Sequence, residues 1–383
     1  MRQIQSSASS LRLALGGLIA LAAAMGIGRF VYTPILPAMM RDLDLSASEA
    51  GYLASANFLG YLLGALLASS PRFGGGRNGL VLALVASAAT TALSGVFSGL
   101  WTLAAVRFAG GVASACTLVF ASALVLQRLV AAGRSALTAV HFAGVGTGIA
   151  LSALIVNAAT LSGAGWRGLW GWSALAAALA VPAVLLLIPP APAGAAGQGT
   201  AARLVPNATF LRLITAYGLF GFGYVITATF LVALVRAEPA LAAIEPWVWL
   251  VFGLAAAPSV WLWTTAARRW GTAPVFKLAC LVEAAGVAIS VAGLGIPGVI
   301  LAAVLLGGTF MGLTALGIAA GRASAGAAGQ QAVGLFTAAF GLGQIVGPAV
   351  AGVLRDGSGS FALPTCLAAA VLVVAALVTP RRL

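Results

Sequence analysis

Long apolar runs follow one another along almost the whole chain, and short polar breaks separate them. Twelve such runs can be drawn, with limits near 12–37, 47–70, 78–98, 100–127, 135–161, 168–189, 209–236, 246–266, 273–293, 296–320, 329–354 and 360–379. Each reaches the roughly 20 residues that a helix needs to cross the hydrocarbon core. None alternates in polarity over about ten residues, as a barrel strand would. Backbone polar groups in lipid must be satisfied within the structure, which leaves helices. The predicted fold is therefore all-α and membrane-integral, with twelve transmembrane helices. The first run carries no charge from Leu13 until Arg29. A guanidinium at that depth costs roughly 2.5–3.5 kcal/mol on insertion scales, so Arg29 stands out as the position that needs a reason.

The breaks orient the chain. With the N-terminus inside, the inner ends hold Arg2, Arg12, Arg72, Arg77, Arg128, Arg134, Arg203, Arg212, Arg268, Arg269, Lys277, Arg322, Arg381 and Arg382, against Arg41, Arg167, Arg236 and Arg355 outside. Fourteen against four predicts cytoplasmic N- and C-termini. The longest break, 190–208, is rich in Pro, Gly and Ala and reads as a flexible linker. It would divide an N-terminal six-helix bundle (1–189) from a C-terminal one (209–383). The halves echo each other: Gly26-Ile-Gly28-Arg29 falls on Gly221-Phe-Gly223-Tyr224 after a shift of 195 residues, and Gly144-Val-Gly146 on Gly341-Leu-Gly343 after 197. Two pseudo-symmetric bundles are the expectation. The prolines Pro34 and Pro37 are expected to close the first helix at its outer end.

Composition agrees and narrows the classes. Of 383 residues, 61% are hydrophobic and 7% charged, too few charges to clothe a soluble fold. The net charge of +13 comes from arginines in the short breaks, so it points to the lipid bilayer and not to nucleic acid. The short polar N-terminus and the long run after it read as a retained first span. Cys116, Cys280 and Cys366 show no pairing or zinc spacing, and His141 is the single histidine, so no metal site is expected. No phosphate-binding glycine loop ends in Lys-Ser or Lys-Thr, and no paired carboxylates occur within a span. Neither an enzyme nor a cofactor is expected. Trp166, Trp170, Trp172, Trp247 and Trp249 gather near the outer surface and predict an aromatic belt. Ser46-x-x-Glu49 reads as a capping box that starts the second span.

Several motifs carry a resemblance. Span 4 has Leu103-x-x-x-Arg107-x-x-Gly110-Gly111-Val-Ala113, and span 11 has Gly343-x-x-x-Gly347-Pro348. Both resemble motifs of the major facilitator superfamily (MFS), over the full chain. Span 5 has Gly144-x-x-x-Gly148 without the following proline, and the loop Ser70-Pro-Arg72-Phe-Gly-Gly-Gly-Arg77 lacks that family's Asp. The stretches Gly26–Pro37, Gly51–Gly64 and Tyr217–Tyr224 look like the YbfB/YjiJ-type branch of the superfamily. The resemblance implies the MFS fold, a bacterial inner membrane, and a central cavity lined by spans 1, 4, 7 and 10.

That implication places Arg29, Arg107 and Tyr224 near one space. Counted along their helices at about 1.5 Å per residue, both guanidinium groups reach similar depth in the outer half. Arginine offers a bidentate fork to carboxylate or phosphate. The substrate-binding candidates are Arg29, Tyr32, Thr33, Asn57, Tyr61, Arg107, Tyr224, Thr227 and Gln344, with Thr229 beside them; helix-to-helix bonding is the alternative use of these polar groups. Glu283, the only acid within a span, and His141 are candidates for proton coupling. The expected function is secondary active transport of a small anionic or zwitterionic solute by a monomer working by alternating access. Efflux of hydrophobic compounds is the alternative, and a transport-inactive sensor a further one.

Overall fold

The computed structural model describes residues 2–70, 75–190, 204 and 206–381. Most of the expected linker 190–208 lies outside the described residues, as do Arg72, Arg203, Arg382 and the Pro71–Gly74 part of the loop after span 2. Among the described residues there is no strand. The elements are α1 (Arg2–Leu21), α2 (Tyr32–Asp42), α3 (Ala47–Ala68), α4 (Gly76–Leu93), α5 (Leu100–Ala131), α6 (Thr138–Leu161), α7 (Trp166–Leu187), α8 (Ala208–Arg236), α9 (Glu245–Ala256), α10 (Ser259–Trp270), α11 (Thr272–Ile289), α12 (Gly295–Ser324), α13 (Gly329–Ser358) and α14 (Ala362–Val378). Among the described residues, eleven helical segments are long and apolar enough to cross a membrane. The last, α14, has 17 residues and so measures about 26 Å, a little under a ~30 Å core.

Two expected spans are broken. Between α1 and α2 the helix widens into a π turn at Ala22–Ile27, where Gly28 N–H donates to Ala23 O (2.8 Å) and Phe30 N–H to Met25 O (3.1 Å). A side chain at Gly26 would strike the backbone of Gly148 on α6, so the widened turn presses directly on that helix. Pro34 has no N–H for the carbonyl of Phe30, and Thr33 N–H takes it instead (3.2 Å). That leaves the carbonyl of Arg29 without its usual helical donor. The expectation that Pro34 and Pro37 end the helix is corrected: α2 runs on through Pro37 to Asp42. Pro34 sits in the first turn, where a missing N–H costs nothing. The eighth span breaks at Ala257–Pro258 into α9 and α10, for the proline reason. By contrast α8, the counterpart of α1–α2, is continuous.

Arginines fasten the end of the molecule that carries residues 2 and 381, here the terminal end. Arg12 donates to Leu186 O (2.7 Å), Arg77 to Ile188 O (2.9 Å) and Arg128 to Pro189 O (2.8 Å). Three helices thereby cap the open carbonyls at the end of α7, where positive charge is favoured. Arg212 of α8 does the same to α14 through Val378 O (2.9 Å).

The opposite, far end is sealed differently. Ser46 and Glu49 form the expected capping box on α3. The same helix start also receives a carboxylate from the second half: Asp356 of α13 accepts from Ala47 N–H (3.1 Å) and Ser48 N–H (2.8 Å). Below it, Gly51 packs on the Pro348 carbonyl, Ser55 donates to Ile345 O (2.6 Å), and Gly341 faces Leu62 at mid-depth (3.1 Å to an added Cβ). A second seam sets Gly146 of α6 against Ala257 and Gly253 of α9 against Ala150. The tryptophan belt is partly corrected. Trp172 and Trp247 are exposed, but Trp166, Trp170 and Trp249 are buried in the packing; Trp170 finds an acceptor in Met39 Sδ (3.4 Å).

Candidate functional site

The break in the first span decides where Arg29 points. It is 4% exposed and its guanidinium lies over Tyr61 (3.9 Å), Phe58 (4.7 Å) and Phe30 (5.2 Å). Faces of this kind attract a cation. One nitrogen, Nη2, donates to Gln344 Oε1 on α13 (3.2 Å). The Gln344 amide in turn donates to the Tyr224 hydroxyl on α8. Tyr224 is stacked on Phe220 (5.1 Å) and Phe310 (5.7 Å). Arg29, Gln344 and Tyr224 thus make a chain of polar contacts from the first half of the sequence into the second.

Arg107 of α5, also 4% exposed, closes on the break itself. Its Nη2 donates to Arg29 O (3.1 Å) and its Nη1 to Gly28 O (3.4 Å). The guanidinium lies between Tyr32 (4.8 Å) and Trp170 (5.4 Å). The carbonyls that the irregular turn exposes are therefore met by a charged fork, as buried carbonyls require. Asn57 of α3 donates from Nδ2 to the Arg107 carbonyl (2.8 Å). Tyr32 donates to Ala50 O (2.8 Å) and Thr33 to Ala228 O (2.9 Å), the latter across the halves.

These residues surround one narrow cleft with a cavity volume of about 20 Å³. Arg29, Tyr32, Thr33, Asn57, Arg107 and Thr229 line it, with Phe30, Phe58, Ala54 and Val225 as its apolar part. Tyr61 and Gln344 reach it through their contacts with Arg29, and Tyr224 through Gln344. Thr227 is buried beside it on α8, its hydroxyl oxygen without a hydrogen-bond partner, and is not a lining residue. Glu283 and His141 are not lining residues either. Glu283 of α11 is fully buried and neither oxygen has a partner. His141 of α6 meets Ser122 Oγ (3.1 Å) through Nε2 and packs against Phe142.

The charge balance is uneven. The chain has seven acidic residues. Among the described residues the ion pairs are Arg41–Asp42, Arg236–Glu245 and Arg355–Asp356, all with exposed partners. No carboxylate pairs with Arg29 or Arg107. The Nε–H of each and the Oδ1 of Asn57 are buried with no partner. Toward the far end a second cleft, of about 120 Å³, lies beyond α2 among Pro37, Arg41, Asn157, Arg236 and Trp249. The aromatic faces at Phe30 and Phe58 and the Asp356 contact were not singled out from the sequence. Phe58 was legible there as the neighbour of Asn57, while Asp356 had no local signal.

A multi-pass helical membrane protein with a positively charged cleft where its two halves meet has the build of a solute carrier. Residues 21–380 match the family described as uncharacterised MFS-type transporter YbfB, and the chain belongs to that family. Its fold is similar to a crystal structure of a point mutant of the nucleoside transporter NupG, with TM-score 0.76 and 17% identity, over 95% of this chain and 98% of that one. A second NupG crystal structure gives 0.71 and 16%, over 96% and 97%. A bacterial homolog to the human lysosomal transporter Spinster, inward-facing and unoccupied, gives 0.64 and 14%, over 98% and 96%. Among curated proteins no sequence matches. At such identities the likeness is one of fold, and function has to be argued from the site.

Proposed function

We propose that the protein is a secondary active transporter of a small anionic or zwitterionic organic solute, bound in the cleft between Arg29 and Arg107. The carrying observation is the pair of buried guanidinium groups on one cleft with no protein carboxylate paired to either. Burying unpaired charge is costly, and a solute that brings the opposite charge removes that cost. Arg29, Tyr32, Thr33, Asn57, Tyr61, Arg107, Tyr224, Thr227 and Gln344 form the proposed binding set. Gln344 Oε1 holds Arg29 as a neutral acceptor until an anionic group replaces it.

In this reading twelve helices form two six-helix bundles, 1–189 and 209–383, joined by a linker at 190–208. Both termini lie on the cytoplasmic side of a bacterial inner membrane, as the arginine bias supports. The far-end seam then faces outward and is closed, and alternating access requires that seam to open. The protein works as a monomer, and proton coupling is assigned to Glu283 or His141. The apolar lining at Phe30 and Phe58 favours a second reading, efflux of hydrophobic compounds.

The test is flux in proteoliposomes, with organic anions, amino acids and lipophilic cations offered with and without a pH gradient. Uptake of an anion or amino acid that Arg29→Gln abolishes is expected. Movement of lipophilic cations alone would select the efflux reading, and no flux under either condition would remove both. Uphill transport that survives the double variant Glu283→Gln/His141→Gln would exclude those two groups from coupling.

A further inference from the structure

We infer that the terminal end of α7 is a binding site for the headgroup of an anionic phospholipid, one whose phosphate charge is not cancelled by a cation of its own. Arg12 of α1, Arg77 of α4 and Arg128 of α5 build the site. It stands apart from the Arg29–Arg107 cleft and from the transport reading.

The local charge count motivates it. Arg12 donates to Leu186 O, Arg77 to Leu185 O and Ile188 O, and Arg128 to Pro189 O. Three guanidinium groups therefore converge on the carbonyls of a five-residue stretch that spans roughly 10 Å from end to end. Those carbonyls are acceptors without full charge, since a helix C-terminus is equivalent to roughly −0.5 of an elementary charge. Roughly two and a half positive charges are left over at one point. No acidic side chain balances them. Six of the seven acids lie at the far end, around α2, α3, α9 and the ends of α8 and α13, and Glu283 is buried in α11. Among the described residues the ion pairs are all at that far end as well. The balancing negative charge comes from outside the protein.

Two further features point to a lipid and not to a dissolved anion. Arg12 is exposed and, among the described residues, commits only Nη2, so its Nε and Nη1 remain free to meet a phosphate oxygen. Next to it, α7 turns an apolar face outward. Leu186, whose carbonyl holds Arg12, is 71% exposed, and Leu179, two turns back on the same side, is 65% exposed. Helix α4, which packs on α7, adds Leu82 at 70%. A phospholipid seated here lays an acyl chain over this face while its phosphate meets the arginines, and basic pockets between spans at a membrane surface bind such headgroups. The bound phosphate also relieves the repulsion among three like charges that hold α1, α4 and α5 to α7. A phosphate ion would make no use of the leucines.

The experiment uses the full chain purified in a neutral detergent, with native mass spectrometry reading the fraction of protein that retains one lipid as lipid is titrated. The probes are dioleoyl phosphatidylglycerol and dioleoyl phosphatidylcholine, which share their chains and differ in headgroup charge, with sodium glycerol phosphate as the soluble headgroup. Phosphatidylglycerol should reach half-retention at a concentration roughly tenfold or more below phosphatidylcholine, as two or three basic groups at a membrane surface give. Arg12→Gln should weaken its retention severalfold, and Arg12→Lys, which keeps the charge without the fork, should fall between. The double variant Arg268→Gln/Arg269→Gln removes two exposed charges from the same end, on α10, and should leave retention unchanged. Unfolding midpoints without lipid check that each variant is folded, and the comparison of the two lipids on the unaltered protein stands without any variant. Equal retention of the two lipids would overturn the site. Equal weakening by the α10 variant would overturn it as well, since the whole basic end would then attract anionic lipid diffusely. Displacement of phosphatidylglycerol by glycerol phosphate would overturn the lipid assignment, because the arginines would then bind the anion with no need of the apolar face.

Discussion

Replacing Asp356 by alanine should loosen the far end of the protein and shift it toward the state in which that end is open. The carboxylate accepts from the first N–H groups of α3 at 3.1 and 2.8 Å, and it comes from the other half of the chain. Two effects add there. Hydrogen bonds to a charged acceptor contribute about 1.5–3 kcal/mol when sheltered. A negative charge at a helix start adds about 0.3–1 kcal/mol. The Asp356 side chain is 29% exposed, so water takes over part of both when the contact is lost. A net loss of about 1–2 kcal/mol remains, roughly a 5- to 30-fold change in the equilibrium. The neighbouring Arg355, at 3.4 Å, adds little to an exposed pair.

Maleimide labelling reads this equilibrium. In a background without Cys116, Cys280 and Cys366, a cysteine replacing Asn157 reports the far cleft, and one replacing Gly334 reports the terminal-end part of α13, which has open space around it. Asp356→Ala should speed labelling at 157 and slow it at 334. Asp356→Asn keeps one acceptor and should fall between. General unfolding would speed both sites. Unchanged labelling at 157 in the alanine variant would refute the reasoning.

Other substitutions test the cleft and its scaffold. Arg107→Lys offers one point charge to two carbonyls, so at least one charge-assisted bond is lost and the unfolding midpoint in detergent should fall by an amount equivalent to about 1.5–3 kcal/mol; an unchanged midpoint would show that the broken turn does not need the fork. Gln344→Leu removes the acceptor that occupies Arg29, and the concentration of anion needed for half-maximal binding should drop severalfold; a rise instead would make Gln344 a direct ligand contact. At Gly111 any Cβ would run into the Asn57 carbonyl, so Gly111→Ala should destabilise by about 1–3 kcal/mol as an overpacked contact. Wild-type stability in that variant would mean that α3 and α5 separate freely.

The helical architecture was legible because a membrane span needs only length and apolarity, and the twelve runs provide both. Arg29 and Arg107 were legible for the complementary reason, since a charge in such a run is conspicuous. What they touch was not. The π turn depends on Gly26 pressing against Gly148 and on Arg107 meeting the exposed carbonyls, and those partners lie 122 and 78 residues away. Local pattern suggested instead that Pro34 and Pro37 stop the helix, but one falls in the first turn and the other is carried by its neighbours. The tryptophans near the outer ends were read by depth, which does not say whether a ring faces lipid or the packing. Asp356 and Ala47 are 309 positions apart, and nothing in either neighbourhood announces the other.

The arginines around α7 divide the molecule mechanically. Three helices of the first half are riveted to one helix end through Arg12, Arg77 and Arg128, whereas among the described residues of the second half Arg212 alone makes the equivalent tie. Such ties favour a stiffer first half at this end. If the two halves rock as proposed, the first would act as the stator, and strain would be taken up in the second, whose described helices have fewer such ties at that end.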